Sequence, residues 1–434
     1  MTITVHHPDA PLIRRATIGL FLTQSIASAA LLASTTVNPI VISRLSGQDA
    51  LAGLPTALML AGASLAAYPA GRMMGQIGRR YGLLVGCVLA VAGGTICAIS
   101  VATGMFVLFL LGLAVLGAGR ATLDQARYAA AEINPPERRG RALSRVIFGG
   151  TIGAILGPAV VAPASSLAAS FHIEPLAGPF IATALMVVLA GLVIFLLLSM
   201  DLRGIAARVA LAVPTAIRPS RAMDETVRKE EVESKRSAYR NLLSLSDARV
   251  AMFTMISAQA AMVMMMAIIS LHMTHHNHDL GEVSLVTSGH VLGMYAFSPL
   301  IGHFADRVGR RLMVLLSACT MAAGCIIAPL SLMTPWIGLA LFLIGLGWSG
   351  CYIAGSTLLT DAFASKERPR MQGANEVMVN ISSAVGSLSS GVLLQAFGFN
   401  IVSMIGLAVS VVPLVVMLFS RPARLGGRPR IVEA

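Results

Sequence analysis

Long apolar runs, each close to the length of a helix that crosses a bilayer, recur along this chain with short charged turns between them. They read as spans at about 16–42, 51–70, 82–101, 107–131, 143–163 and 179–200, and again at about 249–271, 284–301, 312–330, 336–360, 375–396 and 401–419. A spanning helix needs about 20 apolar residues. Hydrocarbon offers no partner to a backbone amide or carbonyl, so each run must satisfy its own hydrogen bonds as a helix. The expected fold class is an all-α polytopic membrane protein with twelve transmembrane helices. Composition agrees, with 56% of the 434 residues hydrophobic and 12% charged, against about 25% charged in an average soluble protein.

The net charge of +12 is read as topology and not as nucleic-acid binding. Arg44 is the one basic residue in the six loops on one side. The other side holds the N-terminal arm, the loops at 71–80, 132–145, 302–311 and 364–374, the segment 201–247 and the tail. Cytoplasmic loops carry the excess of arginine and lysine, so both termini are expected in the cytoplasm. Residues 201–247 carry nine basic and seven acidic residues with Pro214 and Pro219, which reads as a linker. The expected domains are a six-helix bundle over 1–200, a cytoplasmic linker over 201–247, a second bundle over 248–420 and a basic tail over 421–434. Arg14 and Arg15 precede an apolar run too long for a signal core, so it reads as the first span. The five cysteines form no C-x-x-C pair, and no phosphate-binding loop occurs. Nothing here calls for a cofactor or for ATP hydrolysis.

The most informative turn is Gly302-His303-Phe304-Ala305-Asp306-Arg307-Val308-Gly309-Arg310-Arg311. Its glycines allow a tight reversal. Its arginines can bond the last carbonyls of one helix, and its acid can sit at the first amides of another. A second copy, Gly71-Arg72-Met73-Met74-Gly75-Gln76-Ile77-Gly78-Arg79-Arg80, lies 231 residues earlier. Gly117 and Glu137-Arg138 match Gly347 and Glu367-Arg368 at an offset of 230. The loops resemble the G-x-x-x-D-R-x-G-R-R/K signature of the major facilitator superfamily. That resemblance covers nearly the whole chain outside 201–247. It implies two pseudo-symmetric six-helix halves, alternating access, and a substrate site between the halves near the midplane. It also implies that the loop acid latches the outward-facing state from the cytoplasmic side. Gly75 stands where Asp306 stands in the second copy, so the N-terminal latch is expected to be the weaker one.

Span five contains Gly153-Ala154-Ile155-Leu156-Gly157-Pro158. This resembles the antiporter motif of exporters in the superfamily, although Val161 and Ala162 replace its final two glycines. Gly153 and Gly157 lie one turn apart and permit close helix approach, and Pro158 breaks a backbone bond. Plain tight packing explains the same residues.

Arg120, Asp124 and Arg127 are spaced i, i+4, i+7, on one face of one helix. Counted from Val107, Asp124 lies roughly 25 Å along the span. It is either a proton-coupling carboxylate or the anion of a fixed charge cluster. His272, His275, His276 and His278 follow a methionine-rich span and offer metal-ligand spacing. A solvated, pH-sensitive loop with an ordinary methionine-rich helix behind it is the preferred account, and no metal site is assigned. The resemblance implies that spans one, four, seven and ten line the cavity, so Gln24, Ser28, Gln259, Trp348 and Tyr352 are the substrate-contact candidates. Helix packing is the competing account.

The expected function is secondary active transport of a small molecule, most simply proton-coupled efflux of an amphipathic compound through the bacterial inner membrane. Uptake of a metabolite or vitamin, or of a metal complex, is the alternative. The chain is expected to be no enzyme. Its partners would be substrate, protons and the lipid bilayer, with no nucleic acid, and it would work as a monomer.

Overall fold

A computed structural model describes residues 10–134, 139–198, 245–363 and 368–420. Among them the fold is helical throughout. The N-terminal helices are α1 (Ala10–Ser46), α2 (Leu54–Ile77), α3 (Arg79–Thr103), α4 (Phe106–Leu123), α5 (Ala126–Ile133), α6 (Arg139–Leu156), α7 (Val161–Ser170) and α8 (Gly178–Leu197). The C-terminal ones are α9 (Ser246–His275), α10 (Leu280–Tyr295), α11 (Ser298–Val308), α12 (Arg310–Ile327), α13 (Thr334–Ala362) and α14 (Arg368–Phe419). Most of the linker, the tail, Glu137, Arg138 and Glu367 lie outside the described residues. The linker's last residues do not: Ser246 and Asp247 open α9.

Ten helical segments among the described residues are long and apolar enough to cross a membrane. Two features separate this number from the twelve runs in the sequence. Helix α14 has 52 residues but is divided at Gly398, which is non-helical with φ 77° and ψ 174°. The expected eighth span is interrupted between α10 and α11, at Ala296 and Phe297. The segment Pro175–Leu197 is the most apolar, with a mean hydropathy of 2.9, yet only 28% of its window is buried. An outward face of Leu185, Leu189, Leu192 and Phe195 that stays exposed needs hydrocarbon as its solvent.

The chain forms two compact units. The first comprises the described residues up to Leu198 with Met266–Val291 and Ser387–Gly398, and the second comprises the remainder. In the first unit α1 packs on α6 and α8, and α4 packs on α2 and α3. Its core holds Leu20, Leu83, Phe109, Leu116 and Phe180, with the Phe109 and Phe180 rings edge-on at 5.6 Å. Thr183 ties α8 to α1 by donating to the Ala30 carbonyl at 2.7 Å. The segment from α14 belongs here through backbone contact: Ser387 donates to the Gly53 carbonyl at 2.9 Å, and the Ala50 amide donates to Gln395 at 2.7 Å. In the second unit α12 packs along α13, and Ser403 donates to the Cys325 carbonyl at 2.6 Å.

Candidate functional site

The paired loops are tighter than a ten-residue turn. Helix α2 continues to Ile77 and α3 starts at Arg79, while α11 continues to Val308 and α12 starts at Arg310. Each reversal is made by one residue, Gly78 (φ 96°) or Gly309 (φ 92°), a conformation that a side chain disfavours. Gly71 and Gly302 are helical with open space around them, so they do not make the turn. Asp306 does not cap α12 either. It lies in the last turn of α11 and faces Arg310 at 3.4 Å. Arg310 also meets Asp361, at the end of α13, at 3.2 Å. Arg79 makes the matching contact in the other half, pairing with Glu132 of α5. The second arginines reach helix-end carbonyls, as expected: Arg80 donates to Phe195 at 2.8 Å and Arg311 to Ser420 at 3.0 Å. Arg311 also binds Asp247 at 2.6 Å. Arg307 is exposed.

The N-terminal charge cluster sits where span four breaks. Helix α4 ends at Leu123, and the Gln125 amide bonds the Thr122 carbonyl at 3.3 Å. That tighter step separates α4, which carries Arg120, from α5, which carries Arg127. Arg120 and Asp124 form a loose pair at 3.8 Å. Gln24 reaches across from α1 and donates to Asp124 at 3.3 Å, with Ser28 at 3.5 Å. Two cavity candidates and the coupling candidate are therefore one cluster.

Gly153 and Gly157 do bring helices together. A Cβ on Gly153 would lie 1.8 Å from the Ser25 carbonyl oxygen, and one on Gly157 would lie 2.6 Å from that of Ala29. Pro158 ends α6 and opens a single 3-10 turn before α7.

The second unit gathers the aromatic candidates. Trp348 and Tyr352 stack at 5.1 Å, and Tyr295 meets Trp348 edge-on at 6.2 Å. Gln259 accepts from the Trp348 indole at 2.7 Å and donates to Ser383 at 2.8 Å. Both ends of its amide are engaged, so Gln259 positions Trp348 more than it offers itself to a ligand. Tyr352 donates to Glu376 at 2.9 Å. Tyr295, Ser383 and Glu376, which no motif marks in the sequence, complete the group. Glu376 was readable: it falls at the start of an apolar run whose helix begins eight residues earlier, at Arg368.

His272 and His276 lie with ring centroids 4.5 Å apart, while His275 and His278 turn to acidic partners. Asp279 and Glu282 bond each other's amides at 2.8 and 3.3 Å, a capping box at the start of α10. His278 docks on Glu282 at 2.9 Å, His276 on the His272 carbonyl at 2.8 Å, and His275 lies 3.7 Å from Asp49. Among the described residues no group of three or more His, Cys, Asp or Glu side chains is placed to hold a metal ion.

The family model described as Major Facilitator Superfamily matches residues 20–245 and 250–434. The chain belongs to the major facilitator superfamily. This superfamily member is 33% identical to the uncharacterised MFS-type transporter YdeG of Bacillus subtilis, over 94% of this chain and 93% of that one. It is 27% identical to the riboflavin transporter RfnT of Brucella anthropi, over 94% and 97%. The fold is shared with the inward-open xylose transporter XylE of E. coli, at a TM-score of 0.65 and 15% identity over 96% and 97% of the two chains. It is shared also with the nucleoside transporter NupG, at a TM-score of 0.70 and 15% identity over 94% and 98%. The superfamily member is thus a multi-pass membrane transporter.

Proposed function

We propose that this transporter moves a planar, amphipathic organic molecule across the bacterial inner membrane in exchange for protons. The observation that carries the substrate class is the Trp348–Tyr352 stack, held by Gln259 and edged by Tyr295. Such a surface offers a flat π-face with a few fixed polar groups, which suits a flat ligand with polar edges. Asp124 is the proposed coupling carboxylate on the N-terminal side. It receives a hydrogen bond from Gln24 and stands beside Arg120, so a change in its charge would be felt by both. The close α1–α6 packing at Gly153 and Gly157 supports export as the direction. In this reading the chain crosses the membrane twelve times, keeps both termini in the cytoplasm and works as a monomer.

A second reading, uptake of a vitamin, is favoured by the similarity to the riboflavin transporter along nearly the full length of both chains. One pair of assays separates the two. In cells overproducing the protein, export predicts reduced ethidium accumulation that returns when the proton gradient is collapsed. Uptake predicts growth of a riboflavin auxotroph on low external riboflavin. Neither response, with the protein abundant in the membrane, would overturn both readings. In proteoliposomes, Asp124→Asn should abolish uphill movement of whichever probe is carried and spare its exchange.

A further inference from the structure

The second unit contains a carboxylate that meets no cation among the described residues. Glu376 lies about 12 Å along α14 from Arg368 at the helical rise, within a segment apolar enough to span the membrane. Its hydrogen bonds come from the Tyr352 hydroxyl, at 3.1 and 2.9 Å to its two oxygens. No ion pair forms at Glu376 among the described residues, whereas Asp124, Asp247, Asp306 and Asp361 each meet an arginine.

The neighbouring elements supply little charge. Helix α14 carries no ionisable residue after Glu376, and α9 carries none between Arg249 and His272. On α13 the titratable side chains are Cys351, Tyr352 and Asp361, and Asp361 is held by Arg310. From α10, Tyr295 reaches the same aromatic group through Trp348. An anion within a span needs a partner or water. Glu376 lies exposed at the protein surface, and taking up a proton there breaks no ion pair with a described residue.

We propose that Glu376 is a proton-binding carboxylate of this transporter and that the Tyr352–Trp348 stack reports its charge. With the carboxylate charged, the phenol donates a charge-assisted hydrogen bond to it. One proton removes the charge that strengthens this bond and gives the group an O–H donor of its own, so the bond to the phenol weakens or reverses. The rings above it sense that change directly. The proposal rests on the proton-coupled reading for its role in transport but not for its test.

The chain has two tryptophans, Trp336 and Trp348. Trp336→Phe, at an exposed site near the start of α13, leaves Trp348 as the only indole. The emission of that purified, full-length protein is followed from pH 4 to 9 with no ligand added. The expected result is a single sigmoidal step. It disappears in Glu376→Gln, survives in Glu376→Asp and is unchanged in Asp124→Asn. Glutamine keeps the shape and an acceptor for Tyr352, and matching elution from a sizing column verifies that the variant is folded. No step, or a step that persists unshifted in Glu376→Gln, overturns the proposal. A step that behaves as expected, in a protein that moves ethidium or riboflavin without moving protons, upholds the site and removes the coupling reading instead.

Discussion

In the N-terminal half Arg79 meets Glu132 and Arg80 meets the Phe195 carbonyl. In the C-terminal half Arg310 meets Asp306 and Asp361, while Arg311 meets Asp247 and the Ser420 carbonyl. The two loops keep the same skeleton of one left-handed glycine and two arginines. They differ in how many acids hold it. Among the described residues one acid serves the first loop and three serve the second. The repeat has therefore preserved the geometry of the reversal and let its electrostatic strength diverge. A loop held by more ion pairs is harder to release, so the C-terminal loop is the stiffer of the two cytoplasmic fastenings in the proposed topology.

The skeleton can be broken in both halves alike. Gly78→Ala and Gly309→Ala each force a side chain into a conformation that costs about 1–3 kcal/mol. Both should lower the unfolding midpoint in detergent and stop transport. If only one of them did so, the shared skeleton would be refuted. The next largest effect should separate the halves. Arg311→Gln breaks a partly buried pair and a carbonyl bond, with an expected loss of about 3 kcal/mol. Arg80→Gln loses one carbonyl bond and a cation–π contact with Phe195 at 5.1 Å, worth about 1–2 kcal/mol together. Thermal unfolding of the two variants side by side gives the order, and a reversed order would contradict the comparison.

The smallest stability effects are at the acid position itself. Asp306 is 71% exposed, and an exposed pair contributes at most about 1 kcal/mol. Asp306→Asn should therefore leave the unfolding midpoint almost unmoved and slow transport strongly at equal membrane abundance. Gly75→Asp adds the missing acid four residues before Arg79, into open space. It should be tolerated, and a slower release of the N-terminal loop would bring the halves closer in behaviour. Loss of the protein from the membrane in Gly75→Asp would sink that expectation.

The apolar runs, the paired loops and the break at Pro158 were legible because each is dictated over a few neighbouring residues. A hydrocarbon solvent leaves the chain few alternatives to helices, and a reversal after Gly78 or Gly309 has one backbone solution. The contacts between distant segments were less legible. Arg311 finds Asp247 across 64 positions of sequence, from a stretch that composition had assigned to the linker. Glu376 was legible as an acid at the start of an apolar run, but its bond to Tyr352 of α13 was not. Gly117 and Gly347 match in the repeat but meet different neighbours, Met59 of α2 and Met321 of α12. The repeat in sequence does not record which face each copy turns to which helix. The contacts of the histidines were not legible in their spacing either: His278 docks on Glu282 inside a local capping box, and His275 lies near the distant Asp49.

The first unit draws on three separate stretches of chain, with Met266–Val291 and Ser387–Gly398 joining it from beyond the linker. This bears on how the protein can be divided and rebuilt. A gene cut at the linker yields an N-terminal fragment that lacks two of its own structural parts, and a C-terminal fragment that carries them with nothing to dock on. Split-protein complementation should therefore need both fragments made together in one membrane. Exchanging halves with a relative would transplant Ala50 and Gly53 away from Gln395 and Ser387, so a workable chimera has to take its junctions around those segments and not at the midpoint of the chain.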